Sequence, residues 1–213
     1  MATLTLDDIA SASLELVDQG GPDALTMRAV ADALGVSTMG LYHHVESKAA
    51  LVELLVERAY RDRPLPTPSG NDWREDIWEL ATWIRETTKA HPALSQLRHQ
   101  HHVWTQSMLT LGEHWISLWQ RSGLEFDAAN EAAKASAAAI IGYVHQEVSS
   151  TDFTPPDESE LAWRPNLRVL ANSGPTLDKS FDLVVRSLVD GLHASLSQAP
   201  APPSKKKVTT PSR

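Results

Sequence analysis

Residues 25–55 read LTMRAVADALGVSTMGLYHHVESKAALVELL. Two short amphipathic segments meet at a glycine, and a longer apolar one follows. Met27, Val30, Ala31 and Leu34 recur at i, i+3, i+4 and i+7, one face of a helix. Thr26 stands where an N-cap would accept a backbone hydrogen bond. Gly35 follows the last apolar position, where a helix end favours positive φ. Val36 can plug the corner. Ser37 caps a second helix predicted from Thr38 to about His44, with Leu41 and Val45 turned inward and Thr38, Met39, His43 and His44 outward. Ser47 caps a third helix carrying Leu51, Leu54, Leu55 and Ala59. Upstream, residues 7–19 supply Ile9, Ala10, Ala12, Ser13, Leu16 and Val17 as another wall of a small three-helix core. Two helices at a tight turn, the second with a polar outer face, form a helix-turn-helix, which lays its second helix in the DNA major groove.

The string Leu25-Thr26-Met27-Arg28, then Ala31-x-x-Leu34-Gly35-Val36-Ser37, then Leu41-Tyr42-x-His44-Val45-x-x-Lys48-x-x-Leu51 resembles the TetR family of bacterial transcriptional regulators, and its STMGLY run is most similar to the tetracycline-repressor branch. The resemblance covers about the first quarter of the chain. It implies that Thr38, Met39, His43 and His44 lie near base edges and that Thr26, Arg28, Tyr42 and Lys48 lie on or near phosphates. The chemistry of the side chains agrees independently. Lys48, Arg28, the Tyr42 hydroxyl and helix N-terminal amides can donate to phosphate. Ser37, Thr38, His43 and His44 can hydrogen-bond base edges, and Met39 can touch a thymine methyl. Taken singly, Tyr42 also reads as a core aromatic and the histidines as solvated surface.

Charge restrains the picture. The chain of 213 residues has 19 basic and 27 acidic side chains, a net charge of −8. Residues 1–60 contain only Arg28, Lys48 and Arg58 against nine acids, although Ser37 to His44 contains none. A reader with few phosphate contacts has a shallow salt dependence and relies on dimeric binding. The tail 199–213, APAPPSKKKVTTPSR, has the composition of a disordered basic segment, serving either solubility or nonspecific attraction to DNA.

Helical spacing continues throughout, so the expected class is all-α: an N-terminal helix-turn-helix DNA-binding domain at 1–62, a proline-rich linker at 63–71 and a helical ligand-binding and dimerisation domain at 72–198. Further helices are expected at 72–90, 93–101, 103–121, 126–149 and 177–198, with residues 151–176 mostly loop and a short helix near Glu158–Leu170. The absence of cysteine excludes disulfides and thiolate sites. No 18-residue apolar run and no signal peptide stand in the sequence, so a cytoplasmic protein without membrane association is expected. The alanine-rich helix 126–149 has apolar residues on two faces. One side suits its own domain and the other suits the same helix and 177–198 of a second copy, a four-helix dimer interface that the resemblance also implies. Such a dimer would read a palindromic double-stranded operator with half-sites about 34 Å apart.

Seven tryptophans and several polar residues populate the second domain. Trp83, Gln96, His99, Trp104, Met108, Trp115, Trp119 and His145 are candidate walls of a pocket for an apolar or aromatic small-molecule effector. Gln100, His102, Gln106 and His114 are further polar candidates, and the aromatics read equally as helical core. The run Arg98-His99-Gln100-His101-His102 spreads its rings around a helix and offers no third ligand, so no metal and no cofactor is expected. No nucleophile elbow, P-loop, HExxH or Rossmann glycine pattern supports an enzyme. The reading is a homodimeric repressor released from its operator by an effector. An activator, or a metal or small-molecule sensor of the same fold, is the alternative.

Overall fold

A computed structural model describes residues 4–149, 156–172 and 177–198. The basic tail at 199–213 and parts of the loop 151–176 lie outside the described residues. Within them every regular element is a helix.

The head is built from α1 (Leu6–Gly20), a 3₁₀ turn (Pro22–Ala24), α2 (Met27–Leu34), α3 (Thr38–Tyr42) and α4 (Lys48–Asp62). Each helix start has the cap that its sequence promises. Thr5 and Asp8 form a reciprocal capping box on α1. Thr26, Ser37 and Ser47 accept from the amides of Ala29, Gly40 and Ala50 at 3.0, 3.0 and 3.1 Å. Such caps contribute about 1 kcal/mol each. Gly35 ends α2 at φ 66°, in the left-handed region that glycine adopts without a Cβ clash. Gly40 costs helix propensity, but a Cβ there would sit 3.2 Å from Ser37 Oγ and crowd the cap. Helix α3 is shorter than predicted, with His43 as its C-cap and His44 beyond it.

Ile9, Ala10, Leu14, Val17, Leu25, Val30, Leu41, Val45, Leu51, Val52 and Leu55 form the head core. Leu14 is buried there, whereas Leu16 only packs on its edge. This core does not close on itself. Leu94 and Leu97 of α6 (Pro92–Gln100), together with Val103, insert into it. Val103 therefore belongs to a strap, and the next helix, α7 (Gln106–Gln120), starts later than predicted, capped by Thr105. The strap turns at His102, the one non-glycine residue with positive φ (51°) among the described residues.

The body stacks α5 (Trp73–Ala90), α7, α8 (Phe126–Ser149) and α11 (Leu177–Ser197). The segment 156–172 contains two short helices, α9 (Glu158–Leu161) and α10 (Pro165–Asn172), where one was predicted. Small residues Ala129, Ala132 and Ala133 of α8 let α7 approach closely. Ser136 is fully buried, accepting from Trp115 Nε1 and Trp119 Nε1 at 3.1 and 3.0 Å while donating to the Ala132 carbonyl. The indole N–H groups are thereby satisfied inside an apolar layer. Asp76 anchors the linker: its carboxylate accepts from Ser69 N, Ser69 Oγ and Arg121 Nη1, each at 2.7 Å. Burial opposes ionisation of Asp76, but these donors outweigh it and hold the carboxyl below its usual range.

Between α5, α8 and α11 lies an ion network with a buried pair, Arg85 and Glu147, at its centre and the exposed Asp178 and Lys89 at its rim. Arg85 makes two hydrogen bonds to Glu147, at 2.7 and 2.5 Å, and one to Asp178 at 2.7 Å. Lys89 stands 3.5 Å from Glu147. No helix among the described residues is long and apolar enough to cross a membrane.

Candidate functional site

The head presents α3 outward. Met39 is 70% exposed and Tyr42 43%, so Tyr42 is not a core aromatic. His43 and His44 are exposed, Thr38 and Lys48 are half-buried, and buried Leu41 and Val45 hold the helix from behind. Arg28 projects from α2 with its side chain 87% exposed and only a loose contact to Asp32 at 3.7 Å. The capping hydroxyls of Thr26 and Ser37 accept from the backbone, which leaves their protons free to donate. Three acids of the head are engaged away from α3. Asp7 reaches Arg61 at 2.9 Å, Asp18 reaches His91 at 3.1 Å, and Glu57 takes Ser107. The stretch from Ser37 to Val45 itself carries no carboxylate, and it offers donors, an imidazole pair and one thioether.

A cavity of about 580 Å³ opens in the body, within the size range of small-molecule sites. Its walls follow helical stripes: Trp83, Ile84, Thr87 and Thr88 from α5; His91, Leu94, Ser95 and Arg98 along α6; Met108, Leu111, Gly112, Trp115 and Ile116 from α7; Asn130, Ala133, Lys134, Ala137, Ile141, Val144 and His145 from α8. Trp104, 69% exposed, stands at the edge. Of the residues singled out from the sequence, Trp83, Trp104, Met108, Trp115 and His145 line this space. Gln96 and His99 do not: both are exposed, a third of a turn round α6 from Ser95 and Arg98. Trp119 does not either, because it is sealed under Trp73 and Ser136. Thr87, Arg98, Asn130 and Lys134 were missed. Their only signal is that each is a polar residue on an otherwise apolar helical stripe.

Polar groups inside the cavity are few. Ser95 Oγ lies 3.0 Å from His145 Nε2. Thr87 Oγ1 is buried with no hydrogen-bond partner. Burial pushes the Tyr60 phenol above its usual value against the pull of Arg98, so it stays a neutral hydroxyl. No group of three metal-ligating side chains occurs among the described residues.

Head and cavity share walls. Val56, Ala59 and Tyr60 of α4, the helix that follows α3 in the chain and begins at Lys48, line the cavity. Glu57, on the same turn, accepts from Ser107 N at 3.0 Å and Ser107 Oγ at 2.6 Å, which ties α4 to the first turn of α7. Burial opposes ionisation of Glu57, and the two Ser107 donors overcome it to hold the carboxyl below its usual value. His91, at the start of α6, pairs with Asp18 of α1.

Comparison with known proteins places this geometry. Residues 9–55 match the family described as bacterial regulatory proteins, tetR family, and residues 65–196 match the tetracyclin repressor-like C-terminal domain. An HTH-type transcriptional regulator of Saccharopolyspora erythraea is 31% identical over 147 residues, 69% of this chain and 61% of that protein. The chain thus spans less than two thirds of that relative's length. The class G tetracycline repressor protein of Vibrio anguillarum is 30% identical over 199 residues, covering 90% of this chain and 94% of the other. Streptomyces coelicolor ActR in complex with actinorhodin shares the fold at a TM-score of 0.74, with 23% identity over 92% of this chain and all of that one. BioQ with its double-stranded DNA operator does so at 0.68, with 22% identity over 90% and 99% of the two chains.

Proposed function

The chain belongs to the TetR family of bacterial transcriptional regulators, and from that premise we propose that it is a homodimeric repressor whose hold on a palindromic operator is released by a small molecule in the 580 Å³ cavity. The observation that carries the reading is the sharing of α4. Its first turn sits behind the reading helix, and its last turns are cavity wall. Ser37, Thr38, Met39, His43 and His44 are assigned to base edges, and Thr26, Arg28, Tyr42 and Lys48 to phosphates. Trp83, Trp104, Met108, Trp115 and His145 are assigned to the effector.

The dimer is assigned to α8 and α11, which pack on each other through Val144, Phe181, Val185 and Val189. Their outer faces stay open and are lined by small or apolar residues: Ala138, Ala139 and Gly142 on α8; Leu183, Ser187, Gly191 and Ala194 on α11. A Cβ built on Gly142 or Gly191 meets nothing within 4 Å, so a second copy has room for close approach.

Release follows from population shift. A ligand that prefers one α4 orientation can weaken DNA binding only by its differential affinity for the two states, typically about 1–3 kcal/mol. Selection of bound fragments from a random duplex pool tests the reading. The expected product is a palindrome whose half-sites are about one helical turn apart, with a shallow salt slope from its few cationic contacts. Enrichment of no sequence, or of an asymmetric site bound by monomer, overturns it.

A further inference from the structure

The ionisable side chains on the cavity wall, phenol apart, are all bases, and two of them, Arg98 and Lys134, carry full positive charge. Arg98, Lys134, His91 and His145 line it, and among the described residues no aspartate or glutamate does, although acids outnumber bases 27 to 19 in the chain. His91 is engaged by Asp18 at 3.1 Å, and Lys134 lies 3.7 Å from Glu131 on its exposed side. Arg98 is different. Every other arginine in a described helix reaches a carboxylate: Arg28, Arg58, Arg61, Arg74, Arg85, Arg168 and Arg186 all do. Arg98 is half-buried on the cavity wall and has no such partner among the described residues. A half-desolvated guanidinium without an anion is unfavourable, and its planar fork of donors suits a carboxylate-like group. Deeper in, Thr87 Oγ1 is buried and unbonded, a second polar group awaiting a partner. The rest of the wall is aliphatic or aromatic, with Trp83, Trp104 and Trp115 offering ring faces and edges.

We propose that the effector is an aromatic anion, a flat apolar ring system whose acidic oxygen substituent is held by Arg98. The inference rests on the cavity being the effector site and adds the charge that its ligand carries. Arg98 recognises the anion, the tryptophans recognise the rings, and a neutral or cationic analogue of the same shape leaves the guanidinium unpaired.

The test is calorimetric titration of the full chain with anthraquinone-2-carboxylate and with its neutral isostere anthraquinone-2-carboxamide. The carboxylate is expected to bind at least about tenfold more tightly, the scale of one charge-assisted hydrogen-bond pair. Arg98→Gln is expected to abolish that preference by weakening the carboxylate alone, while Arg98→Lys retains part of it. The preference in the unsubstituted chain, and its decline with salt, stand as evidence even where a variant folds poorly. Equal binding of both probes overturns the anion assignment and leaves the cavity as an effector site. An acid preference that survives in a folded Arg98→Gln protein overturns the role of Arg98. Binding of neither probe overturns the assignment together with the reading of the cavity.

Discussion

Replacing Tyr42 and His44 by alanine is expected to abolish specific operator binding while leaving the protein folded and dimeric. Both side chains stand outside the core, Tyr42 with 43% of its surface exposed and His44 just past the end of α3. Surface truncations of this kind change stability by about 0.5 kcal/mol or less. Each lost base or phosphate contact costs about 1–3 kcal/mol. In a symmetric dimer each loss occurs twice, so even one such contact amounts to about 2–6 kcal/mol, roughly 30-fold to more than 10⁴-fold in affinity. Mobility shift on the selected operator measures the loss, and sedimentation measures the dimer. Wild-type affinity in the double variant would show that α3 is not the reading helix. Position matters here more than residue type. Leu41, one residue from Tyr42, is fully buried and supports the same helix from behind, so its truncation would act through unfolding and report nothing about DNA.

Arg85→Ala is expected to destabilise the body severely. Glu147, whose side chain is only 4% exposed, would lose both of its guanidinium bonds. Removing one member of a buried pair costs about 3–5 kcal/mol. Lys89 at 3.5 Å softens this toward the lower figure. Against a typical total of about 5–15 kcal/mol, such a loss is severe. Replacing the pair together, as Arg85→Met with Glu147→Leu, should recover most of it, because the charges left without a partner, Asp178 and Lys89, are exposed to water. Urea denaturation with an unchanged m-value checks both variants. The network also has a pH signature. Hydrogen bonding by Arg85 holds the carboxyls of Glu147 and Asp178 below their usual values. Their contribution is therefore fully present above the ordinary carboxylate range, near pH 4.5 for a glutamate, and is lost as the pH falls through the lowered folded values. The paired Met and Leu variant should lose less stability over that acidic interval than the natural chain.

Local chemistry was legible in the sequence, and tertiary depth was not. Thr26, Ser37, Ser47 and Gly35 announced the ends of α2, α3 and α4 because caps and positive φ act within a few residues. The side of α3 that faces solvent followed from Leu41 and Val45 alone. By contrast, Leu14 and Leu16 of α1 are chemically equivalent. What buries one and only half-buries the other is the placement of the surrounding helices. Trp115 and Trp119, one turn apart on α7, share a face and even share Ser136 as hydrogen-bond acceptor. Yet Trp115 lines the cavity and Trp119, with Trp73 packed at 5.5 Å against it, does not. The insertion of Leu94, Leu97 and Val103 into the head core crosses the proline-rich linker, and no periodicity within 72–198 points to it. That insertion matters for function, because α6 lines the cavity through Leu94, Ser95 and Arg98 while it packs on the head through Leu97. In the sequence Arg98 is one cation in a histidine run, and only the carboxylates packed around the other helical arginines set it apart.

The account stands on α4 and α6 acting as one lever between cavity and reading helix. Spin labels on the exposed position Glu46, beside the start of α4, measure the separation of the two heads in the dimer directly. With a compound that releases operator DNA, the account predicts a displaced distance distribution relative to the free and DNA-bound protein. An unchanged distribution in the presence of a compound that does release DNA would contradict it.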